Sequence, residues 1–245
     1  MLPVSATIIT YNEEENISAC LESIRWVDEI LVVDSFSNDK TIEICEGFGC
    51  KVYRHKWLGY GKQKNLAINR AKNEWILSLD ADERISPELQ REIKCLIQKC
   101  PEKDGYYIPR KAFFSGKWIR HCGWYPDYNL RLFNRHKGKF KERAVHECVE
   151  LNGEVGYLKG NIEHYTYKSI SDFLERLDRY SSLAAEEMFK GGTEFKGSQL
   201  VFRPIFNFFK MYILKLGFLD GYDGFLLSVL YSYYVFVKYC KLQER

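Results

Sequence analysis

The sequence predicts an α/β fold, a mainly parallel sheet flanked by helices, followed by a helical C-terminal extension. Three observations carry this. Over the first hundred residues, short apolar runs alternate with helix-length segments, a rhythm that builds parallel strands joined by right-handed crossovers. Residues 105–167 turn to short strands and turns rich in Tyr, Trp, Arg and His, the mixed, antiparallel half of the same domain. From Ser169 onward helical periodicity takes over, so the chain divides into 1–168 and 169–245.

Each element has a local reason. Residues 4–10 form an apolar strand, and Asn12-Glu-Glu-Glu15 opens a helix with Asn12 as N-cap and Glu15 at the capping-box position. Residues 29–33 are the second strand, and Asn38 or Asp39 caps a helix running to Phe48. A short strand at 50–54 leads through the Gly59/Gly61 loop to a helix over 62–72. The run from Trp75 to Leu79 has the length and composition of a buried strand. Ser86-Pro87 starts a helix reaching about Lys99, with Pro at a tolerated N1 position. Residues 157–164 read as a strand ending at His164. Residues 169–190 read as an amphipathic helix with Phe173, Leu177, Tyr180, Ala184 and Met188 on one stripe, stopped by Gly191-Gly192. Residues 200–241 are helical, aromatic and basic, interrupted around 217–224.

Composition excludes several classes. The net charge of +3 is too weak to argue for nucleic acid. The eight cysteines show no CxxC pair and no metal-type spacing, so most read as small buried hydrophobes of a reducing cytosol. The N-terminus lacks a basic n-region and runs straight into a strand, unlike a signal peptide. The longest apolar run, 225–237, is too short to span a bilayer, which takes about 20 residues.

The chemistry gathers at strand ends. The fourth strand ends in Asp80-Ala-Asp82, and extended backbone would put these two carboxylates on one side. Such a pair suits a hard divalent cation, Mg²⁺ or Mn²⁺, which keeps open positions for phosphates. The plain alternative is a surface turn with acids facing water. Ligands of parallel sheets sit at the carboxyl ends of the strands, and Tyr11-Asn12, Asp34 and Asp80/Asp82 all fall there.

Three segments, Thr10-Tyr-Asn-Glu13, Val32-Val-Asp34-Ser35-Phe-Ser-Asn-Asp39 and Asp80-Ala-Asp82, resemble in type, order and spacing the GT-A (Rossmann-like) family-2 glycosyltransferases over residues 3–100. Arg131-Leu-Phe133, Val145-His-Glu147, His164-Tyr-Thr-Tyr167, Arg203-Pro204 and Gly217-Phe-Leu-Asp-Gly221 look like a narrower branch, the bacterial lipopolysaccharide inner-core β-glucosyltransferases. The resemblance implies an inverting, metal-dependent hexosyltransferase using a UDP-sugar and a glycolipid or saccharide acceptor. It implies that Tyr11, Glu13 and Asp34 hold the uracil and ribose, and that the Asp80-Ala81-Asp82 triplet approaches the ribose and metal, with Asp82 coordinating the cation. Glu13 could instead be only a helix-start residue favoured by the dipole, and Asp34 only a turn former. Lys62 or Lys64 could face a phosphate and Asn65 the pocket, or the lysines could be a solvated helical turn. His164 would add a metal or diphosphate contact, or be a buried histidine bonded to backbone. Arg131 could pair with the diphosphate or serve a structural ion pair.

Inversion by a single displacement needs a general base opposite the leaving group. Glu147 is the candidate, with Glu142 and Asp127 as competitors. Trp124 and Tyr125, with Asp127, form the candidate acceptor side, since two aromatics in a Gly/Pro loop favour a binding surface. In 202–216 large apolar residues alternate with Arg203, Lys210 and Lys215. That composition suits a helix on the inner face of the cytoplasmic membrane, and the rival is a helical hairpin that covers the catalytic domain or forms a homodimer interface. Two other functions remain open, a nucleotidyltransferase of related fold and a non-catalytic UDP-sugar-binding scaffold. The first normally has a Gly-rich basic loop after the first strand, where this chain reads Thr10-Tyr-Asn-Glu-Glu-Glu15.

Overall fold

The computed structural model describes residues 2–141 and 148–245. The chain forms two compact units, 1–110 with 128–164, and 111–127 with 165–245. The helical unit therefore includes 111–127, from the middle of the chain.

The first unit begins β1 (Val4–Thr10), α1 (Ile17–Ser23), β2 (Glu29–Asp34), α2 (Thr41–Gly47), β3 (Lys51–Arg54), α3 (Tyr60–Arg70), β4 (Trp75–Asp80), β5 (Glu83–Ile85) and α4 (Pro87–Gln98). The later strands along the chain are β6 (Gly105–Phe114), β7 (Lys117–Trp118, in the second unit), β8 (Asp127–Asn134), β9 (Gly138–Phe140), β10 (Val149–Leu151), β11 (Val155–Tyr157) and β12 (Ile162–Tyr167). The main sheet runs β3-β2-β1-β4-β8-β6-β12-β5. Its first four strands are parallel, β8 turns antiparallel to β4, and β12 is antiparallel to β5. The predicted α/β class, mainly parallel and then mixed, is what forms.

Both faces of the parallel part are covered, which is why its strands are apolar throughout. Alternate side chains separate to opposite faces. Val32, Leu77 and Leu79 join Leu21 of α1, Ile24 just after it, and Leu89 and Ile93 of α4 in one core, while Leu31 and Val33 join Ala67 of α3 in another. Ser86 caps α4 by accepting from the Leu89 N–H at 3.2 Å, with Pro87 at the first turn.

Two local expectations fail for identifiable reasons. Asn12 does not cap α1. Its φ is +55° and its side-chain oxygen accepts from the Asn38 N–H at 2.9 Å, tying together the two loops that leave β1 and β2. The helix starts only at Ile17, after Asn16. The strand expected over 157–164 is broken at 158–161. There the N–H groups of Lys159 and Gly160 donate to Glu92 of α4. Gly160 is required, because a Cβ would lie 2.4 Å from the Leu89 Cα.

The second unit holds α5 (Ile170–Lys190), α6 (Ser198–Phe209), a π-helical turn (Lys210–Leu214), a 3₁₀ turn (Gly217–Asp220) and α7 (Gly221–Gln243). Ser169 caps α5, accepting from the Asp172 N–H. Its buried stripe is Phe173, Leu177, Ser181 and Ala185, a strict four-residue spacing. Tyr180, Ala184 and Met188, expected on that stripe, flank it half-buried. The expected break at 217–224 has a steric cause, since a Cβ on Gly224 would meet the Gly217 carbonyl oxygen at 1.9 Å.

The cysteine expectation needs correcting. Cys20, Cys45 and Cys122 are buried, but Cys95, Cys100 and Cys148 are exposed and Cys50 and Cys240 are half-buried. The three buried thiols sit where an apolar residue faces packed neighbours. The exposed three sit at or near element ends.

Candidate active site

Strand register assembles the site. Thr10 pairs with Asp34 across β1 and β2, and Ile9 pairs with Asp80 across β1 and β4. Parallel strands in this register deliver Tyr11-Asn12, Ser35 and Ala81-Asp82 to one end of the sheet, the end where such folds bind ligands.

At β2, Asp34 is fully buried. Its carboxylate accepts from the Thr10 hydroxyl at 2.9 Å and from the Ser37 N–H at 2.8 Å. It thus shapes the loop after β2. Ser37 in turn receives the Asn12 N–H at 2.8 Å. Glu13 donates its N–H to the Thr41 hydroxyl at 2.7 Å, and its carboxylate accepts from the Asn16 side chain at 2.7 Å. Tyr11, by contrast, is 58% exposed and stands open at the strand end.

The strand β4 stops at Asp80, and 81–82 form a turn. Extended alternation therefore does not reach Asp82, and the two carboxylates find separate partners. Asp80 pairs with Lys64 of α3 at 2.8 Å and with Arg131 of β8 at 2.9 Å. Arg131 also reaches Glu83 at 2.7 Å, and Glu83 receives Arg110 at 3.3 Å and the Asp80 N–H at 3.0 Å. Burial works to raise the Asp80 pKa, but Lys64 and Arg131 outweigh it and hold the carboxyl well below its ordinary range. Asp80 is thus held as an anion. Lys64 is no solvated lysine, as its side chain is 4% exposed. Arg131 takes the ion-pair arrangement rather than standing free.

Asp82 and His164 of β12 come together, with Nε2 to carboxylate at 3.2 Å. Among the described residues no group of three His, Cys, Asp or Glu gathers in metal-binding geometry. An oxygen and an imidazole nitrogen nonetheless form a donor set that fits a divalent cation whose other positions go to phosphate and water. Ala81 is buried between the two acids. Asn65 latches β9, donating to the Phe140 carbonyl at 2.9 Å and accepting its N–H at 2.8 Å.

Glu147 and its competitor Glu142 lie outside the described residues. Of the acceptor-side candidates, Trp124 is half-buried and packs edge-on against Tyr231 of α7, with ring centroids 6.0 Å apart. Its neighbour Tyr125 is edge-on to Trp118, and Asp127 opens β8.

Sequence reasoning missed Glu83, Arg110 and Gln63. Glu83 follows Asp82 directly and is fully buried, a position where an acid needs a cation. Gln63 is also fully buried; it donates to the Ser35 hydroxyl at 3.1 Å and so braces the loop after β2. No spacing signal separates it from its lysine neighbours.

A parallel sheet with anionic, cationic and imidazole groups collected at its strand ends defines an α/β ligand-binding protein with its site at the carboxyl edge. The chain belongs to glycosyl transferase family 2, whose profile matches residues 5–150. Similar chains include an uncharacterized glycosyltransferase of Rickettsia typhi, 31% identical over all of this chain and 88% of the relative. Another, from Rickettsia bellii, is 33% identical over 98% of this chain and 86% of its own length. The lipopolysaccharide core biosynthesis glycosyltransferase LpsC of Rhizobium meliloti is 28% identical over all of this chain and 93% of LpsC. Among solved structures, S. aureus TarS 1-349 matches in fold with a TM-score of 0.50 at 17% identity, covering 99% of this chain and 90% of that one.

Proposed function

We propose that the protein is an inverting, metal-dependent hexosyltransferase that moves glucose from UDP-glucose to a glycolipid or lipopolysaccharide-core acceptor. The observation that carries this is the meeting of Tyr11, Asp34, Asp80 and the Asp82–His164 pair at the carboxyl end of β1, β2, β4 and their neighbours. The name of LpsC supports the acceptor class. TarS has been crystallised with UDP and with UDP-GlcNAc, which supports a UDP-linked donor.

In this reading Tyr11 and Glu13 border the uracil and ribose, and Asp34, Gln63 and Asn65 fix the shape of that pocket. Asp82 and His164 would hold the divalent cation, which when bound neutralises the diphosphate leaving group. Lys64 and Arg131 keep Asp80 ionised beside it. Glu147 takes the proton of the acceptor hydroxyl as that oxygen bonds to the anomeric carbon. The bond from carbon to diphosphate oxygen breaks, its electron pair leaves with UDP, and the centre inverts. Replacing Glu147 with glutamine keeps size and removes the base. UDP-sugar binding should stay near wild type while transfer to lipopolysaccharide-core acceptor falls about a hundredfold or more. Transfer close to wild type would remove Glu147 as the base and bring Asp127 forward.

Membrane contact belongs to the same reading. On α6, Phe202, Ile205, Phe206 and Phe209 are spaced as one helical face, yet all are exposed, and α6 buries no residue. A soluble helix turns such a face inward. Arg203, Lys210 and Lys215 are exposed among them, and 195–219 contains no acidic residue. None of the described helices is long and apolar enough to cross a membrane. Apolar groups ringed by cations suit the anionic inner surface of the cytoplasmic membrane, where a glycolipid acceptor is held. Co-sedimentation with vesicles should rise with phosphatidylglycerol content and fall with salt. A stable dimer in solution with no vesicle binding would instead assign this face to a homodimer.

A further inference from the structure

The second unit contains a cavity of about 330 Å³, walled by Arg120, His121, Tyr125 and Pro126 on one side and by 214–216 on the other. Its frame is built by Asp220. That carboxylate accepts the His121 N–H at 2.7 Å and the Arg120 N–H at 3.4 Å, and its other contact, at 2.9 Å, is with the His121 Nδ1. The Cys122 N–H donates to the Lys215 carbonyl at 2.9 Å, closing the opposite wall. Gly123, at a φ of +80°, lets the Lys215 stem pass over it, with its Cγ 3.7 Å from where a Cβ would stand.

The charges of this pocket are unbalanced. Asp220 spends its carboxylate on two backbone N–H groups and an imidazole. The Arg120 guanidinium is held 4.5 Å over the Trp118 ring, with Lys111 over the same ring at 4.7 Å. Stacking fixes a guanidinium without consuming its N–H donors. Among the described residues, no carboxylate lies within ion-pair distance of Arg120 or Lys215. The Trp118 Nε1, buried beside Tyr125 and Arg120, also has no acceptor among the described residues. A planar fork, a point charge and an imidazole fixed through one nitrogen form the donor set that takes a tetrahedral oxyanion.

We propose that the pocket of Arg120, His121, Tyr125 and Lys215 binds a phosphate group carried by the sugar acceptor. This names a chemical class for the second substrate, a phosphorylated saccharide, and so rests on the transferase reading. The cation–aromatic pairing suits such a ligand on two counts. Arg120 and Lys215 take the phosphate, while the Tyr125 ring offers a flat apolar surface to the sugar carbons.

The test uses the full chain and glucose 6-phosphate as probe, with glucose at equal ionic strength as control, followed by calorimetry. Saturable binding of the phosphorylated sugar alone is expected, weakened at least tenfold by Lys215→Gln and by Arg120→Gln and kept by Lys215→Arg. Lys215 is exposed, so its variants leave the fold intact even where Arg120→Gln disturbs the Trp118 stack. UDP titrated in parallel should bind every variant equally. Loss of UDP binding in wild type would fault the transferase reading, whereas intact UDP binding without phosphate binding would overturn this inference alone. A second arm uses vesicles of phosphatidylcholine with phosphatidic acid. Binding to these that depends on Lys215, with none to glucose 6-phosphate, would give the phosphate to a lipid and overturn the acceptor assignment.

Discussion

Arg131→Met is expected to destabilise the first unit by about 3–5 kcal/mol, the range for stripping one partner from a buried ion-pair network. The Arg131 side chain is 6% exposed and bridges Asp80 to Glu83, which is fully buried. Removing it leaves Glu83, among the described residues, with Arg110 at 3.3 Å and the Asp80 N–H at 3.0 Å. Against a typical total stability of about 5–15 kcal/mol, this loss should be evident in urea unfolding at neutral pH. It also has a pH signature. The Asp80 pKa is depressed in the folded chain, so its contribution is present above the ordinary carboxylate value and is lost as pH falls through the folded value. Without Arg131 the folded value rises toward the ordinary one, so the loss of stability along the acid limb should be smaller and complete at higher pH in the mutant than in wild type. A change under about 1 kcal/mol with an unshifted acid limb would show that the network contributes little.

How far the sequence foretold this network differs residue by residue. Strand ends were legible, because apolar runs that stop at Thr10, Asp34 and Asp80 mark buried parallel strands whose carboxyl ends align. Asp82 and His164, 82 residues apart in sequence, were each legible as candidates, and their 3.2 Å meeting follows from β12 pairing with β5. The Lys64–Asp80–Arg131–Glu83 chain was not legible. Lys64 sits in a run of basic and polar residues that reads equally as a solvated turn, and its burial comes from tertiary packing, α3 lying against β1, β2 and β9 with the ammonium 5.1 Å from the Phe140 ring.

The loops were least readable for the same reason. Asn12 has every local property of an N-cap, yet its side chain finds the Asn38 N–H across 26 residues. Tertiary partners outcompete local capping there, and the helix start moves to Ile17. In the C-terminal unit, periodicity gave the helices and glycines gave the break. The Arg120–Lys215 pocket depends on chain segments nearly a hundred residues apart, which no local pattern records.

If the carboxyl end of the sheet binds a UDP-sugar through a divalent cation held by Asp82 and His164, UDP affinity depends on both the metal and Asp82. Calorimetry of UDP with the wild-type protein and with Asp82→Asn, each with Mn²⁺ and with EDTA, tests it most directly. Asparagine keeps the size of Asp82 and removes the charge that a hard cation requires. Wild type should bind UDP about a hundredfold or more tightly with Mn²⁺ than with EDTA, and Asp82→Asn should bind with Mn²⁺ no better than wild type does with EDTA. Mn²⁺-dependent UDP affinity that survives unchanged in Asp82→Asn would place the cation on other residues and rule out this site.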